Sequence, residues 1–250
     1  MPKADATGYA PVNGIKIYYE IYHAHGGDPV LLLHGGGGHA GSWGNQVPAL
    51  MKTHRVIAID SRGHGRSTRD AQPFTYHLMA TDVLAVLDYL KVEKIAIVGH
   101  SDGGVVGLDL AINHSDRLTK LYLLGAGYSH AGDKPFDPNS ALVAGIVAWC
   151  SREYARLSPT PNRFEDFFTA INRMWATEPN YAPGDLRRVA VPTCIAHAEH
   201  DEFMHTAYAE EMARLVPGAK FELLRGVSHF APWQNPELFN RSVLAFLDGK

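Results

Sequence analysis

Gly99-His100-Ser101-Asp102-Gly103-Gly104, GHSDGG, stands between the apolar run KIAIV (residues 94–98) and the apolar-periodic run VVGLDLAI (residues 105–112). A strand that turns straight into a helix leaves little room for side chains. Glycines on both sides of one serine therefore push its hydroxyl out at the turn. A strand before the motif and a helix after it are the context in which Gly-x-Ser-x-Gly reads as a nucleophile elbow and not as a glycine-rich packing turn.

The neighbouring segments place that elbow in a sheet. PVLLLHG (29–35), HRVIAID (54–60), KLYLLGAG (120–127) and VPTCIAHAEHD (191–201) are short, nearly continuous apolar runs, as expected of parallel strands covered on both faces. Residues 9–24 alternate around Asn13-Gly14, a tight-turn pair, which predicts an antiparallel hairpin at the start. Between Tyr76 and Lys91, Leu78, Met79, Val83, Val86, Leu87 and Leu90 share one helical face. The tail repeats the alternation with a helix in TAYAEEMARLVPG (206–218), a strand in AKFELLRG (219–226) and a helix in PELFNRSVLAFLDGK (236–250). The fold class is α/β, a mostly parallel sheet with helices on both faces. Residues 129–185 break the pattern with prolines, a helical run ALVAGIVAWCSREY (141–154) and the aromatics Phe164, Phe167, Phe168, Trp175 and Tyr181. They read as a helical cap inserted over the strand ends, so the core domain comprises 1–128 and 186–250.

A chain of 250 residues carrying a net charge of −3 offers no basic field for nucleic acid. The N-terminal MPKADATGYAPVNG lacks a signal-peptide pattern and no window approaches a membrane span, so a cytoplasmic protein is expected, without a membrane partner. Cys150 and Cys194 fall in a helix-like and a strand-like segment and are expected to stay reduced. His197, His200, Asp201 and His205 crowd together, but at a strand end they do not face one way, and no metal is expected.

A serine hydroxyl needs a base, and the base a carboxylate to hold its tautomer. His229, in GVSHFAPW (226–233), follows the strand AKFELL; Asp201, in AHAEHDEF (196–203), follows VPTCIA, with Glu199 a competing carboxylate nearby. Both positions lie past strand ends on the sheet edge that carries Ser101, where open α/β sheets bind ligands. For the oxyanion, the backbone N–H of Asp102 is one candidate donor and the run His34-Gly35-Gly36-Gly37-Gly38 supplies another, placed at Gly36 with a register open by one residue. Trp43, Trp149, Trp175, Trp233 and Phe230 are candidates for an apolar substrate pocket, against the commoner fate of tryptophan in a core.

With HGGGG (34–38), DSRGHGRS (60–67), GHSDGG, Asp201 and His229 in that order, the chain resembles the α/β-hydrolase fold superfamily over nearly its whole length outside the insertion. Its short length and compact DSRGHGRS turn resemble the enol-lactonase, aminoacrylate-hydrolase and small-esterase group. The resemblance implies an eight-stranded sheet, a structural role for DSRGHGRS, and a cofactor-free serine hydrolase acting on a small to medium ester or lactone, with a homodimer as the expected assembly. Alternatives are a carbon–carbon bond hydrolase of vinylogous diketones and a slow-turnover ligand receptor. Two positions depart from those relatives. Asp102 stands where they often carry an apolar residue or glutamine, and the all-glycine run stands where they usually carry a bulky residue. The carboxylate of Asp102 either complements the helix dipole or favours a protonated His229 and disfavours anionic substrates.

Overall fold

The computed structural model describes residues 1–135 and 140–249. Strands β1 (Ala6–Val12), β2 (Ile15–Tyr22), β3 (Pro29–Leu33), β4 (Arg55–Ile59), β5 (Ile95–His100), β6 (Leu118–Leu124), β7 (Thr193–Ala198) and β8 (Lys220–Leu224) form one sheet in the order β1-β2-β4-β3-β5-β6-β7-β8. The hairpin β1–β2 turns at Asn13-Gly14, both at positive φ, and β2 pairs antiparallel with β4. All other pairings are parallel. The eight strands and their mixed pairing are those the sequence and the family resemblance imply.

The helices are α1 (Val47–Leu50), α2 (Tyr76–Tyr89), α3 (Asp102–Asn113), α4 (Ala141–Leu157), α5 (Phe164–Trp175), α6 (Pro183–Leu186), α7 (Thr206–Leu215), α8 (Ala231–Gln234) and α9 (Pro236–Asp248). Because strand side chains alternate faces, the apolar runs feed two cores. Leu31, Leu33, Ile97 and Leu123 pack with Met79, Val83, Leu108 and Met212 of α2, α3 and α7. Val30, Leu32, Val98 and Leu124 pack with Leu50, Phe239 and Val243 of α1 and α9. A run apolar at every position is what a strand needs to serve both.

The turn DSRGHGRS locks the strand ends. Asp60, fully buried just past β4, accepts hydrogen bonds from the N–H groups of Ala40 (2.6 Å) and Arg66 (2.7 Å). Ser67 donates to the Asp60 carbonyl and accepts from the Tyr18 N–H at 2.8 Å. The guanidinium of Arg62 holds Asp82 of α2 through two bonds, at 2.6 and 2.9 Å. α4, α5 and α6 all lie between β6 and β7 in sequence. Residues 136–139 of the stretch expected to form a cap lie outside the described residues. Both cysteines are buried and free, and among the described residues no helix is long and apolar enough to cross a membrane.

Replacing Asp60 with alanine strands the buried Ala40 N–H, at about 1–3 kcal/mol, and the half-buried Arg66 N–H, at less. Urea unfolding of Asp60→Ala is expected to show a loss of about 3 kcal/mol with an unchanged m-value; a loss under about 1 kcal/mol would show that the turn holds without its carboxylate.

Candidate active site

The elbow is built as the glycines require. Ser101 sits between β5 and α3 at φ 53°, ψ −123°, a conformation that costs a non-glycine residue on the order of 1–3 kcal/mol. Its N–H donates to the Leu124 carbonyl of β6 at 2.8 Å, and its carbonyl accepts from the Gly104 N–H at 2.8 Å. A Cβ at Gly103 would lie 2.1 Å from the backbone oxygen of Leu33 in β3, so only glycine lets the helix start this close to the sheet.

His229 is held at three points. Its Nδ1 lies 2.9 Å from Asp201 Oδ2, its backbone N–H donates to Glu202 Oε2 at 3.0 Å, and its carbonyl accepts from His100 Nε2 at 2.9 Å. A carboxylate only accepts, so Nδ1 carries the proton and Nε2 keeps the basic lone pair. Burial works against the charge on Asp201. The charge and hydrogen bond of His229, with the N–H of Phe203 at 2.8 Å, outweigh it and hold the carboxyl below its ordinary range. Glu199 is not a partner of His229; it accepts from the Gly226 N–H at 2.8 Å and faces Arg225. Ser101 closes no hydrogen bond to His229 among the described residues, a looseness usual before substrate draws such groups together.

On the oxyanion side, the Gly38 N–H is already bonded to the Gly35 carbonyl at 3.0 Å, whereas the Gly36 N–H has no acceptor among the described residues. Asp102 is the first residue of α3, so its N–H has no carbonyl four residues back within the helix. The Asp102 side chain is buried and accepts from Tyr76 of α2 at 2.8 Å and from Trp175 Nε1 of α5 at 2.9 Å. Burial raises its carboxyl above the ordinary range, opposed by the hydrogen bonds from Trp175 and Tyr76 and by the charge of His229. The carboxylate thus ties α2, α3 and α5 together, a role that neither the dipole nor the substrate-charge account foresaw.

That contact also explains the glycine run. A Cβ at Gly36 would meet Trp175 Cζ2 at 2.3 Å and Asp102 Oδ2 at 2.6 Å, and one at Gly37 would meet Cys150 Sγ at 2.5 Å. Side chains of α4 and α5 fill the space that a loop side chain would take.

The candidate pocket residues divide. Trp175 lies against Gly36, Trp149 stacks on His39 at 5.8 Å, and Phe230 stands edge-on to His229 at 5.4 Å. Trp43 corrects the expectation: it is 2 % exposed and stacks on Phe239 at 6.2 Å, because the 3-10 turn Ala40–Trp43 points it into the core between sheet and α9. Phe203, edge-on to His229 at 4.8 Å, escaped the sequence reading although it lies two residues past Asp201. So did His100, inside the elbow motif itself; burial pushes it down to about 3, which keeps it neutral, with Nε2–H donating to the His229 loop. His197 is fully buried in β7, and among the described residues no group of three or more His, Cys, Asp or Glu is placed to hold a metal.

A strained serine at a strand–helix elbow, a buried His–Asp pair and free backbone donors on one edge of a doubly covered sheet define a hydrolase-type site. The chain belongs to the α/β-hydrolase fold family, whose model matches residues 28–163, more than half its length. It is 32 % identical to the "Putative carbamate hydrolase RutD" of Caulobacter segnis, over 95 % of this chain and 98 % of that protein. It is 27 % identical to the 2-hydroxy-6-oxo-6-(2'-aminophenyl)hexa-2,4-dienoic acid hydrolase of Metapseudomonas resinovorans, over 94 % of this chain and 89 % of that one. Among solved structures it superposes on Est816, an N-acyl homoserine lactone degrading enzyme, with a TM-score of 0.76 and 27 % identity, covering 96 % of this chain and all of the other.

Gly36→Ala is expected to displace the Trp175 ring. The chain should lose about 1–3 kcal/mol of stability and show a shift in tryptophan emission; unchanged emission and stability would mean that Trp175 has room to spare.

Proposed function

We propose that this chain is a serine hydrolase of small to medium carboxylic esters or lactones, with Ser101, His229 and Asp201 as its triad. The observation that carries this reading is the buried His229–Asp201 pair, its free imidazole nitrogen on the sheet edge that presents Ser101. His229 takes the Ser101 proton as Oγ bonds to the acyl carbon. The N–H groups of Gly36 and Asp102 bear the charge on the carbonyl oxygen, and the proton then passes from His229 to the leaving oxygen as the acyl–oxygen bond breaks. Water, deprotonated by the same His229, cleaves the acyl-serine and releases the acid. The described residues of 129–185 serve as the cap over this edge, with Trp175 and Cys150 as its footing on the glycine loop. The lactone- and carbamate-named relatives support attack on an acyl carbon bonded to a heteroatom.

A second reading, hydrolysis of a carbon–carbon bond in a vinylogous diketone, is supported by the dienoic acid hydrolase relative. It uses the same elbow but releases a carbon acid and not an alcohol.

Release of p-nitrophenol from a series of acyl chain lengths tests the first reading. Ser101→Ala is expected to lower kcat by about 10⁴-fold or more with the fold intact, and Asp201→Asn by about 10²- to 10⁴-fold. Ester activity that survives Ser101→Ala would remove the proposal, and diketone cleavage without ester cleavage would install the second reading.

A further inference from the structure

His229 is walled by aromatic rings from three parts of the chain. Phe203, beside the acid loop, stands edge-on to the imidazole with centroids 4.8 Å apart, and Phe230 does the same at 5.4 Å. Trp233 stacks on Phe230 at 5.8 Å, and Trp149, from α4, tilts against Trp233 at 6.3 Å. These four rings are not sealed. Phe203, Phe230 and Trp149 are half-buried and Trp233 is 39 % exposed, whereas Trp43 and Phe239 are closed off in the core. Rings that serve only as packing are driven towards full burial. A continuous, partly wet aromatic face on the candidate general base is a surface shaped for a ligand. Trp233 is fixed in place by its Nε1–H bond to the Ser42 carbonyl at 2.9 Å, and Trp149 by stacking on His39, so the face is preorganised.

Its position decides which part of a substrate it meets. A group that protonates the leaving oxygen must come within hydrogen-bond reach of it, so the alcohol portion of an ester lies on the His229 side. We infer that Phe203, Phe230, Trp233 and Trp149 form a leaving-group subsite for planar aromatic alcohols, benzyl-type esters being the substrate class. This inference rests on the ester reading above. As the acyl–oxygen bond breaks, the acyl carbon stays on Ser101 Oγ, the imidazolium proton passes to the leaving oxygen, and the arylmethyl alcohol departs along the aromatic face. Edge-to-face and offset contacts with that face need a ring quadrupole, which a saturated ring of the same size lacks.

Benzyl acetate and cyclohexylmethyl acetate differ in that property while their alcohols are close in size and acidity. The kcat/KM of the intact protein is expected to favour the benzyl ester roughly 3- to 10-fold. The ratio should fall towards unity in Trp233→Leu and Trp149→Leu, two substitutions on different elements, each checked for folding by circular dichroism. A ratio near one in the intact protein, or a preference that survives in both folded variants, overturns the subsite. If neither ester is cleaved, the ester reading fails separately, and binding judges the subsite. Benzyl alcohol should then quench tryptophan emission at lower concentration than cyclohexylmethanol in the intact protein and lose that advantage in Trp233→Leu. Equal titrations would overturn it.

Discussion

The backbone of Ser101 is held where an L-residue resists going, and the rest of the site depends on what holds it there. Its N–H is bonded to β6, its carbonyl receives the first turn of α3, and Gly103 packs against the β3 backbone with no side chain between. The strain is local and modest, while the contacts that enforce it belong to a sheet buried on both faces. The elbow therefore stays formed as long as the core does. The same packing sets the start of α3, and with it the position of the Asp102 N–H.

Around that fixed point the loops are positioned by polar anchors that are themselves buried. Asp60 holds the segment after the glycine loop through the Ala40 N–H, and the His229 loop is held by Asp201, Glu202 and His100. Each anchor satisfies a backbone group or, for Asp201, an imidazole N–H that burial would otherwise leave orphaned. Removing the anchor would therefore cost more than the bond it makes. Neutral His100 suits this task, because its Nε2–H can donate to a carbonyl without placing a charge behind the candidate base.

The insertion between β6 and β7 is joined to the core by chemistry of a different kind. Trp175 donates to Asp102, Tyr181 to Asp109, and the Tyr76 N–H to Glu178, so three hydrogen bonds to carboxylates bind the insertion to α2 and α3. Apolar contact supplements them where Cys150 approaches Gly37 and where Phe167 stands edge-on to Phe74. Charge-assisted bonds of this type fix an orientation as well as a distance. They set Trp175 against the glycine loop in one pose.

The order of strands and helices, the elbow at Ser101 and the edge of the sheet that carries Asp201 and His229 were legible in the chain because they rest on local properties. Apolar runs mark buried strands, glycines mark a turn too tight for side chains, and residues just past parallel strands share one edge. Whatever depends on side chains meeting from distant segments was not legible. Trp43 and Trp149 look alike in sequence, yet one turns into the core against Phe239 and the other into the aromatic face beside His229. The choice between Asp201 and Glu199 was likewise open until the β7–α7 loop turned one carboxylate to the imidazole and the other to the Gly226 N–H. The chain by itself determined the frame and the serine elbow, since backbone geometry and hydrophobic periodicity act over a few residues. Only the tertiary structure decided the partners of Asp102 and the walls around His229, since contacts between segments far apart in sequence exist only once the whole core has closed.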